Sequence, residues 1–354
     1  MLVRKPNPRR LATLDGMRGV AAAAVALLHG TSVFNVGWVP AHAYLAVDFF
    51  FLLSGYVIAR AFDPRLRQGW AAGFLLRRFL RLYPLIIVGS ILGFLEMILH
   101  GVLAHTVSLA QALLDLASSL ALIPTPPLML AHWRIYPVDP PLWSLFFEMS
   151  AYIVYAVAAP LLRTRLLWLL VGFSGLALAV VIVSMNGSDV GLSHFKLAAF
   201  RVAFSFSLGV ALHRALRHEP SPRAVPVSAP WILGALAALL LAPTAPGRAY
   251  DLVAVFAVFP ALLLLGIRAA PGGTRLQSVC LVLGQVSYPL YVIHLPLFLC
   301  INGILADKSG MAARVLTLTC GMTGVLLLSW LLAKYYDLPV RRRALRGLTG
   351  TWSE

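Results

Sequence analysis

Residues 14–34 read Leu-Asp-Gly-Met-Arg-Gly-Val-Ala-Ala-Ala-Ala-Val-Ala-Leu-Leu-His-Gly-Thr-Ser-Val-Phe. This run has the length that one helix needs to cross the hydrocarbon layer of a membrane, about 20 residues. It is longer than the apolar region of a typical secretory signal peptide, and it begins with the charged residues Asp15 and Arg18. We therefore interpret it as a retained first transmembrane helix, with His29 near its far end.

Similar apolar stretches recur along the chain as far as Ala333. Of the 354 residues, 60% are hydrophobic and only 12% are charged, whereas an average soluble domain has about 25% charged residues. The composition predicts an all-α polytopic membrane protein with about ten transmembrane helices. The predicted spans are 14–34, 44–62, 84–105, 141–162, 166–185, 196–213, 229–242, 250–269, 281–300 and 311–334. A further apolar run, 106–123, is predicted to form an interfacial or re-entrant helix.

The positive charge is distributed between the apolar stretches and does not form one patch. The net charge is +16, but this distribution favours a membrane protein over a nucleic-acid-binding protein. With ten spans, 23 of the 29 Lys and Arg residues fall on one side. The positive-inside rule then favours an even number of spans and places both termini in the cytoplasm. The expected location is the bacterial inner (plasma) membrane. The predicted organisation is a single membrane domain, 1–340, followed by a basic cytoplasmic tail, 341–354.

Four ionisable residues on four predicted spans lie at a similar depth. At about 1.5 Å per residue, His29 and Asp48 lie roughly 7 Å beyond the midplane, and Glu148 and His294 lie roughly 5 Å beyond it. A histidine beside a carboxylate at this level could act as a general base. The alternative for His29 and Asp48 is an interhelical hydrogen bond without catalytic function. The residues alone leave both interpretations open.

A second group of charges lies at the predicted cytoplasmic edge and consists of Arg18, Arg60, Arg77, Arg78 and Arg81; the candidate ligand-binding residues among them are Arg18, Arg77, Arg78 and Arg81. Guanidinium groups suit phosphate oxygens, although positive-inside charge is a simpler explanation. Arg18 and His29 are separated by roughly 16 Å along one helix. A ligand with a phosphate end at the cytoplasmic edge and a reactive end within the membrane would fit this spacing.

Five stretches of the chain, in the same order, resemble signature elements of the membrane-bound acyltransferase-3 family of integral membrane O-acyltransferases. They are Leu14–Ala22 with His29, Asp48–Tyr56, Arg77–Pro84, Trp143–Glu148 and Ser287–His294. The Arg-x10-His pairing of the family falls on Arg18 and His29, and its Arg-x-x-Arg element falls on Arg78 and Arg81. The closing element differs, because Asp337-Leu338-Pro339 stands where the family usually has Glu-Lys-Pro.

The resemblance implies an enzyme that transfers an acyl group, usually acetyl, from cytoplasmic acyl-CoA to a hydroxyl group. The implied acceptor is a sugar of a surface or exported glycan (a polysaccharide), and the alternative acceptors are macrolide-type metabolites or lipids. The donor, acetyl-CoA, is a substrate, and no metal is expected.

On this hypothesis the four arginines bind the CoA phosphates, and His29 accepts the proton of the acceptor hydroxyl. Asp48 or Glu148 would stabilise the imidazolium, and His294 is the second candidate for the base. An acyl-histidine intermediate is equally compatible. The residues expected to shape the substrate site are Trp143 and Ser144.

Two other classes of function remain compatible with the residues. A proton-coupled transporter or exporter could use the same buried histidines and carboxylates as a relay, although the paired halves of many transporter folds are absent. A glycan-modifying flippase partner without chemistry of its own is the other alternative. The sequence leaves a homodimer open.

Overall fold

The computed structural model describes residues 11–125, 135–184, 192–217, 225–243, 247–270, 273–305 and 310–349. The arginines before Leu11 and the last residues of the predicted tail, 350–354, lie outside these ranges. The helices within them are α1 Ala12–Val33, α2 Ala46–Leu66, α3 Ala71–Met97, α4 Leu109–Ala121, α5 Leu142–Ala158, α6 Thr164–Ser184, α7 Leu192–Leu216, α8 Ala229–Leu240, α9 Arg248–Val253, α10 Phe259–Arg268, α11 Thr274–Leu305, α12 Met311–Leu331 and α13 Leu338–Thr349.

Short irregular helical turns extend several of these helices. A 3₁₀ turn, Ala43–Leu45, precedes α2, and a π-helical turn, Ile98–Val102, ends α3. Two further π-helical turns, Ala254–Val258 and Leu332–Asp337, join α9 to α10 and α12 to α13. Two short strands, β1 Val225–Ser228 and β2 Ala269–Ala270, pair in parallel with Val225 opposite Ala269.

Each of the ten predicted spans coincides with a helix, and the predicted interfacial segment contains α4. Six helical segments in the described ranges are long and apolar enough to cross a membrane. They are Ala43–Leu66, Ala71–Val102, Thr164–Ser184, Arg248–Arg268, Thr274–Ile304 and Met311–Arg346. The count of ten spans and the cytoplasmic position of both termini stay predictions.

The helical bundle is apolar on the outside and carries polar groups in its interior. Leu161, Phe173 and Trp231 are 80%, 73% and 77% exposed, which would be unfavourable in water over so large a surface. By contrast, Asp48 and His294 are fully buried. Lipid solvates the apolar outer surface, so the polar groups must form hydrogen bonds or salt bridges inside the bundle. The all-α fold and the multi-pass membrane character are confirmed.

Helix α3 begins earlier than predicted. The apolar run predicted a span that starts at residue 84, after the basic stretch Arg77–Pro84. The helix instead starts at Ala71 and continues through Pro84. The basic stretch is therefore helical, and Arg78 and Arg81 lie one turn apart on the same helix.

Helices α1 and α11 run parallel and pack closely. Arg18 contacts Ser287 near one end of this interface, and His29 contacts His294 near the other. A Cβ atom at Gly19 would lie 2.5 Å from the Cβ atom of Leu283 and 2.9 Å from its carbonyl oxygen. Small residues let transmembrane helices approach in this way. The absence of a side chain at Gly19 thus allows the two histidines to meet.

Candidate active site

A cavity lies between α1, α2, α3, α5 and α11. Arg78 and Arg81 line it near the start of α3, and Ser144 and Tyr291 line it further along α5 and α11. On α5 the lining residues extend from Ser144 to Tyr152, a distance of roughly 12 Å along the helix axis. The cavity is therefore elongated, with guanidinium groups towards one end and hydroxyl groups towards the other.

Glu148 lines the wall between these two ends. Its Oε1 atom accepts a hydrogen bond of 2.9 Å from the Ser54 hydroxyl and another from the Tyr152 hydroxyl. The Ser54 and Tyr152 oxygens are 2.8 Å apart. Tyr152 follows Glu148 by one helical turn, so the contact follows from their spacing in the sequence, although Tyr152 was not among the predicted site residues. The carboxylate is held by two hydroxyl groups and lies on the cavity wall.

Ser144 forms a hydrogen-bonded pair with Tyr291. The Ser144 hydroxyl donates to the Pro141 carbonyl at 3.0 Å. Because a hydroxyl group has only one proton to donate, Tyr291 is the donor in the 2.6 Å contact with Ser144. The structure thus brings Ser144 to the cavity, whereas Trp143 packs edge-on against Phe147 at 6.3 Å and is not one of the lining residues. Tyr291 belongs to the Ser287–His294 element, and its own role was missed.

The two predicted histidines meet behind Tyr291. His29 Nδ1 is 2.8 Å from His294 Nε2, and the rings stack with centroids 5.0 Å apart. His294 Nδ1 is 2.9 Å from the Leu290 carbonyl oxygen, which can only accept. The ring of Tyr291 lies 6.1 Å from that of His294. The pair is therefore next to the end of the cavity that Tyr291 and Ser144 form.

The hydrogen bonds determine which nitrogen of each histidine carries a proton. Because His294 Nδ1 donates to a carbonyl group, Nε2 of the neutral ring carries a lone pair and accepts from His29 Nδ1. Neutral His29 then has its basic lone pair on Nε2. A fixed tautomer of this kind prepares an imidazole to accept a proton.

The structure corrects the predicted partner of His29. Asp48 was expected beside His29, but it forms a buried salt bridge with Arg201 on α7. Arg201 also lies over the ring of Tyr44 at 5.6 Å, and the Tyr44 hydroxyl donates to Asp251 at 2.5 Å. A carboxylate in an apolar interior requires a nearby cation, and α2 packs along α7. The similar depth of Asp48 and His29 therefore did not bring them together.

The predicted phosphate-binding arginines have different surroundings. Arg18 lines the cavity, but it also donates to Ser287 Oγ at 2.9 Å, Asp15 Oδ1 at 2.9 Å and the Gly284 carbonyl at 2.6 Å. These bonds connect α1 to α11, so Arg18 also has a structural role. Arg77 is exposed and lies over Trp70 at 5.3 Å.

Asp139 is a buried carboxyl group outside the membrane-spanning segments. It is 0% exposed, and neither of its oxygens has a hydrogen-bond partner among the described residues. A Cβ atom at Gly89 of α3 would lie 2.8 Å from Asp139 Oδ2. Burial raises the pKa of Asp139 well above its ordinary value, so the neutral acid is the form that folding favours.

We expect Asp139→Asn to reduce the pH dependence of stability. A carboxyl group whose pKa rises on folding lowers stability as pH increases from the unfolded value, about 3.9, towards the folded value. The free energy of unfolding of the wild type should therefore fall by up to about 1.4 kcal/mol per pH unit within this window. Equilibrium unfolding in micelles between pH 5 and 7 measures it. Tyr136→Phe, a buried neighbour that stays neutral in this range, is the control, and parallel curves for wild type and Asp139→Asn would contradict the expectation.

Within the described ranges, no group of three or more His, Cys, Asp or Glu side chains has a metal-binding arrangement. The polar groups of the site are two imidazoles, one carboxylate, several hydroxyls and at least two guanidinium groups. Such a set can bind phosphate at one end and accept a proton from a hydroxyl group at the other.

The chain matches a known protein family over most of its length. Residues 11–334 match the model of the family described as Acyltransferase domain. No solved structure matches the chain.

Three curated proteins are similar to the chain. "Protein 2 in picA locus" of Rhizobium radiobacter is 36% identical over 160 residues, which cover 42% of this chain and 82% of that protein. "Putative membrane-bound transacylase BcsY" of Komagataeibacter xylinus is 27% identical over 96% of this chain and 86% of its own length. "Acyltransferase MdmB" of Streptomyces mycarofaciens is 24% identical over 92% of this chain and 88% of its own length.

Proposed function

This chain belongs to the Acyltransferase domain family and is a membrane acyltransferase, and from that premise we propose its donor, its acceptor and its catalytic residues. The donor is a cytoplasmic acyl-CoA that carries an acetyl group. The acceptor is a hydroxyl group of a sugar in a surface or exported glycan. The enzyme acts in the bacterial inner membrane.

The proposal for the donor is based on the elongated shape of the cavity. Acyl-CoA has phosphate groups at one end of a long flexible arm and the thioester at the other. Arg78 and Arg81 line one part of the cavity and suit phosphate oxygens. The arm would lie along Ser54 and Glu148, and the thioester would lie near Ser144 and Tyr291. This orientation puts the reactive carbonyl next to the histidine pair.

His29 is the proposed general base. Its Nε2 atom accepts the proton of the acceptor hydroxyl while that oxygen attacks the thioester carbonyl. The new C–O ester bond forms, the C–S bond breaks, and the departing thiolate takes the proton from His29. His294 is a positioning residue, because its hydrogen bond holds the proton of neutral His29 on Nδ1.

Glu148 is proposed to act on the donor side of the cavity. It lies among Ser54, Tyr152 and Arg78 on the lining of one cavity. Arg78 lies 6.0 Å from the ring of Tyr152, so the carboxylate and its two hydroxyl partners help to hold the guanidinium towards the cavity. The proposed acceptor site consists of Ser144 and Tyr291, whose hydroxyls can exchange hydrogen bonds with a sugar.

We expect Arg78→Gln to raise the KM for acetyl-CoA by about 10- to 100-fold with a smaller change in kcat, because a charge-assisted hydrogen bond to phosphate contributes about 1.5–3 kcal/mol. The assay is the transfer of radiolabelled acetyl from acetyl-CoA in isolated membranes that contain a glycan-bearing lipid fraction. Arg165→Gln is the matched control, since Arg165 is exposed and lies on α6, away from the cavity. Equal KM values for the two variants would contradict the donor orientation.

The same assay tests the proposed donor and acceptor. Label that appears in the glycan and depends on His29 and Arg78 supports both. Label in a lipid or a macrolide-type metabolite would show that the proposed acceptor is wrong and would support the proposed donor. No transfer from acetyl-CoA or from longer acyl-CoA donors, across all acceptor fractions, would contradict the proposal.

A further inference from the structure

A second cavity lies between α3 and the C-terminal helix α13. Five of its lining residues are arginines, three from α3 and two from α13. They are Arg77, Arg78, Arg81, Arg341 and Arg342. The other lining residues are apolar, so the second cavity is strongly basic without an acidic side chain among the residues that line it.

The arginines of the second cavity are close enough to repel one another. Arg78 is repelled by the positive charges of Arg81 and Arg341. Arg341 is also repelled by the charge of Arg81. Asp337 forms a salt bridge with Arg341, which leaves an excess of positive charge. The Nε atom of Arg78 is buried and has no hydrogen-bond partner among the residues that the structure describes. A bound anion would satisfy this donor and relieve the repulsion.

The two cavities share Arg78 and Arg81. A ligand whose arm lies in the first cavity can therefore extend a phosphate-bearing end into the second. The family match ends at residue 334, so Arg341 and Arg342 lie beyond it. In the sequence these two residues appeared to belong to a basic tail, but α13 places them opposite the arginines of α3.

We propose that the second cavity binds a phosphate monoester, the 3′-phosphate on the ribose of the CoA donor, and that Arg341 and Arg342 select for it. This inference rests on the proposed donor. The diphosphate of CoA would then lie at the shared residues Arg78 and Arg81, between the ribose and the pantetheine arm. The forked donors of arginine suit the terminal oxygens of a phosphate monoester. A lipid with the same headgroup chemistry, phosphatidate, is the other source of such a ligand.

The test measures equilibrium binding of radiolabelled CoA and 3′-dephospho-CoA to the full-length protein in nanodiscs of phosphatidylcholine. The wild type should bind CoA about ten-fold more tightly than 3′-dephospho-CoA, the difference expected from one charge-assisted hydrogen bond. Arg342→Gln should remove most of this preference and leave the affinity for 3′-dephospho-CoA unchanged. Arg342 is exposed, so its replacement has little effect on folding. Arg343→Gln is the matched control, because Arg343 is on the same helix but does not line the cavity.

Each other outcome overturns the inference in a distinguishable way. Equal affinity of the wild type for the two nucleotides would overturn the 3′-phosphate site and leave the proposed donor intact. Equal effects of Arg342→Gln and Arg343→Gln would show that α13 contributes only general positive charge. Nanodiscs that contain phosphatidate test the lipid source. If Arg342→Gln lost phosphatidate binding and kept the preference for CoA, the lipid would be the ligand. If the wild type bound neither nucleotide, the proposed donor would fail together with this inference.

Discussion

His29→Ala is expected to lower kcat for acetyl transfer by about 10³-fold, with little change in the affinity for CoA. General base catalysis typically contributes 10²–10⁴-fold, and the hydrogen bond from His29 to His294 presents Nε2 of the neutral ring as the basic atom. The measurement is single-turnover transfer of labelled acetyl at saturating donor. CoA binding, measured in parallel, shows whether the variant is folded.

His105→Asn is the matched control for this prediction. His105 is an exposed histidine with a positive φ of 57°, and asparagine tolerates that conformation. The control should retain wild-type kcat. Full activity of His29→Ala would exclude His29 as the base. Labelled acetyl that stays on the protein after denaturation and disappears in His29→Ala would instead favour an acyl-histidine intermediate.

His294→Ala distinguishes a positioning role from a structural one. Without the hydrogen bond that His29 Nδ1 donates to His294 Nε2, the proton of His29 can occupy either nitrogen. We therefore expect a smaller loss of kcat than in His29→Ala, together with a shift of the apparent pKa in the pH profile of kcat. A loss of activity with an unchanged pH profile would mean that His294 acts only through packing.

Asp63→Ala is expected to destabilise the protein by about 3–5 kcal/mol, the cost of removing one partner of a buried ion pair. Asp63 is 0% exposed, and its Oδ1 atom accepts a 2.7 Å hydrogen bond from Arg214 and a 2.5 Å hydrogen bond from Tyr155. Arg214 also donates to the Leu162 carbonyl. The substitution leaves a buried guanidinium without its carboxylate. Equilibrium unfolding in mixed micelles measures the loss.

Two variants separate the loss of the pair from the loss of charge. Arg217→Gln removes a charge just beyond the end of the helix that carries Arg214, but Arg217 is exposed. The free energy of unfolding of this variant should therefore stay within about 0.5 kcal/mol of the wild type. In the double variant Asp63→Leu/Arg214→Met no charge remains unpaired, and most of the stability should return. If the double variant were as unstable as Asp63→Ala, the loss of stability would come from the surrounding hydrogen-bond network and not from the unpaired charge.

Local patterns in the sequence predicted the helices, the family and most residues of the candidate site. The long apolar runs require helices, since only internal hydrogen bonds can satisfy the backbone in lipid. The start of α3 was predicted too late, since the helix begins at Ala71 and continues through Pro84. An apolar run marks the part of a helix that lies in hydrocarbon, and it does not show how far the helix continues beyond it.

The pairing of the ionisable groups could be predicted only in part. Depth along each helix is a one-dimensional quantity, and it correctly suggested that His29 and His294 lie at similar levels. It contains no information on which helices are neighbours or how each is rotated. The structure supplied that information by packing α1 against α11 and α2 against α7. Asp48 therefore pairs with Arg201, while His29 pairs with His294.

The sequence by itself determined the membrane character, the helical architecture and the acyltransferase family, because these depend on composition, periodicity and short motifs. The tertiary structure alone decided that Arg342 of α13 lines one cavity together with Arg78 of α3 and that Tyr291, which lines the other cavity, lies next to His294. These contacts join residues far apart in the chain. They depend on side-chain packing between helices, in which a missing Cβ atom, as at Gly19, determines how closely two helices approach.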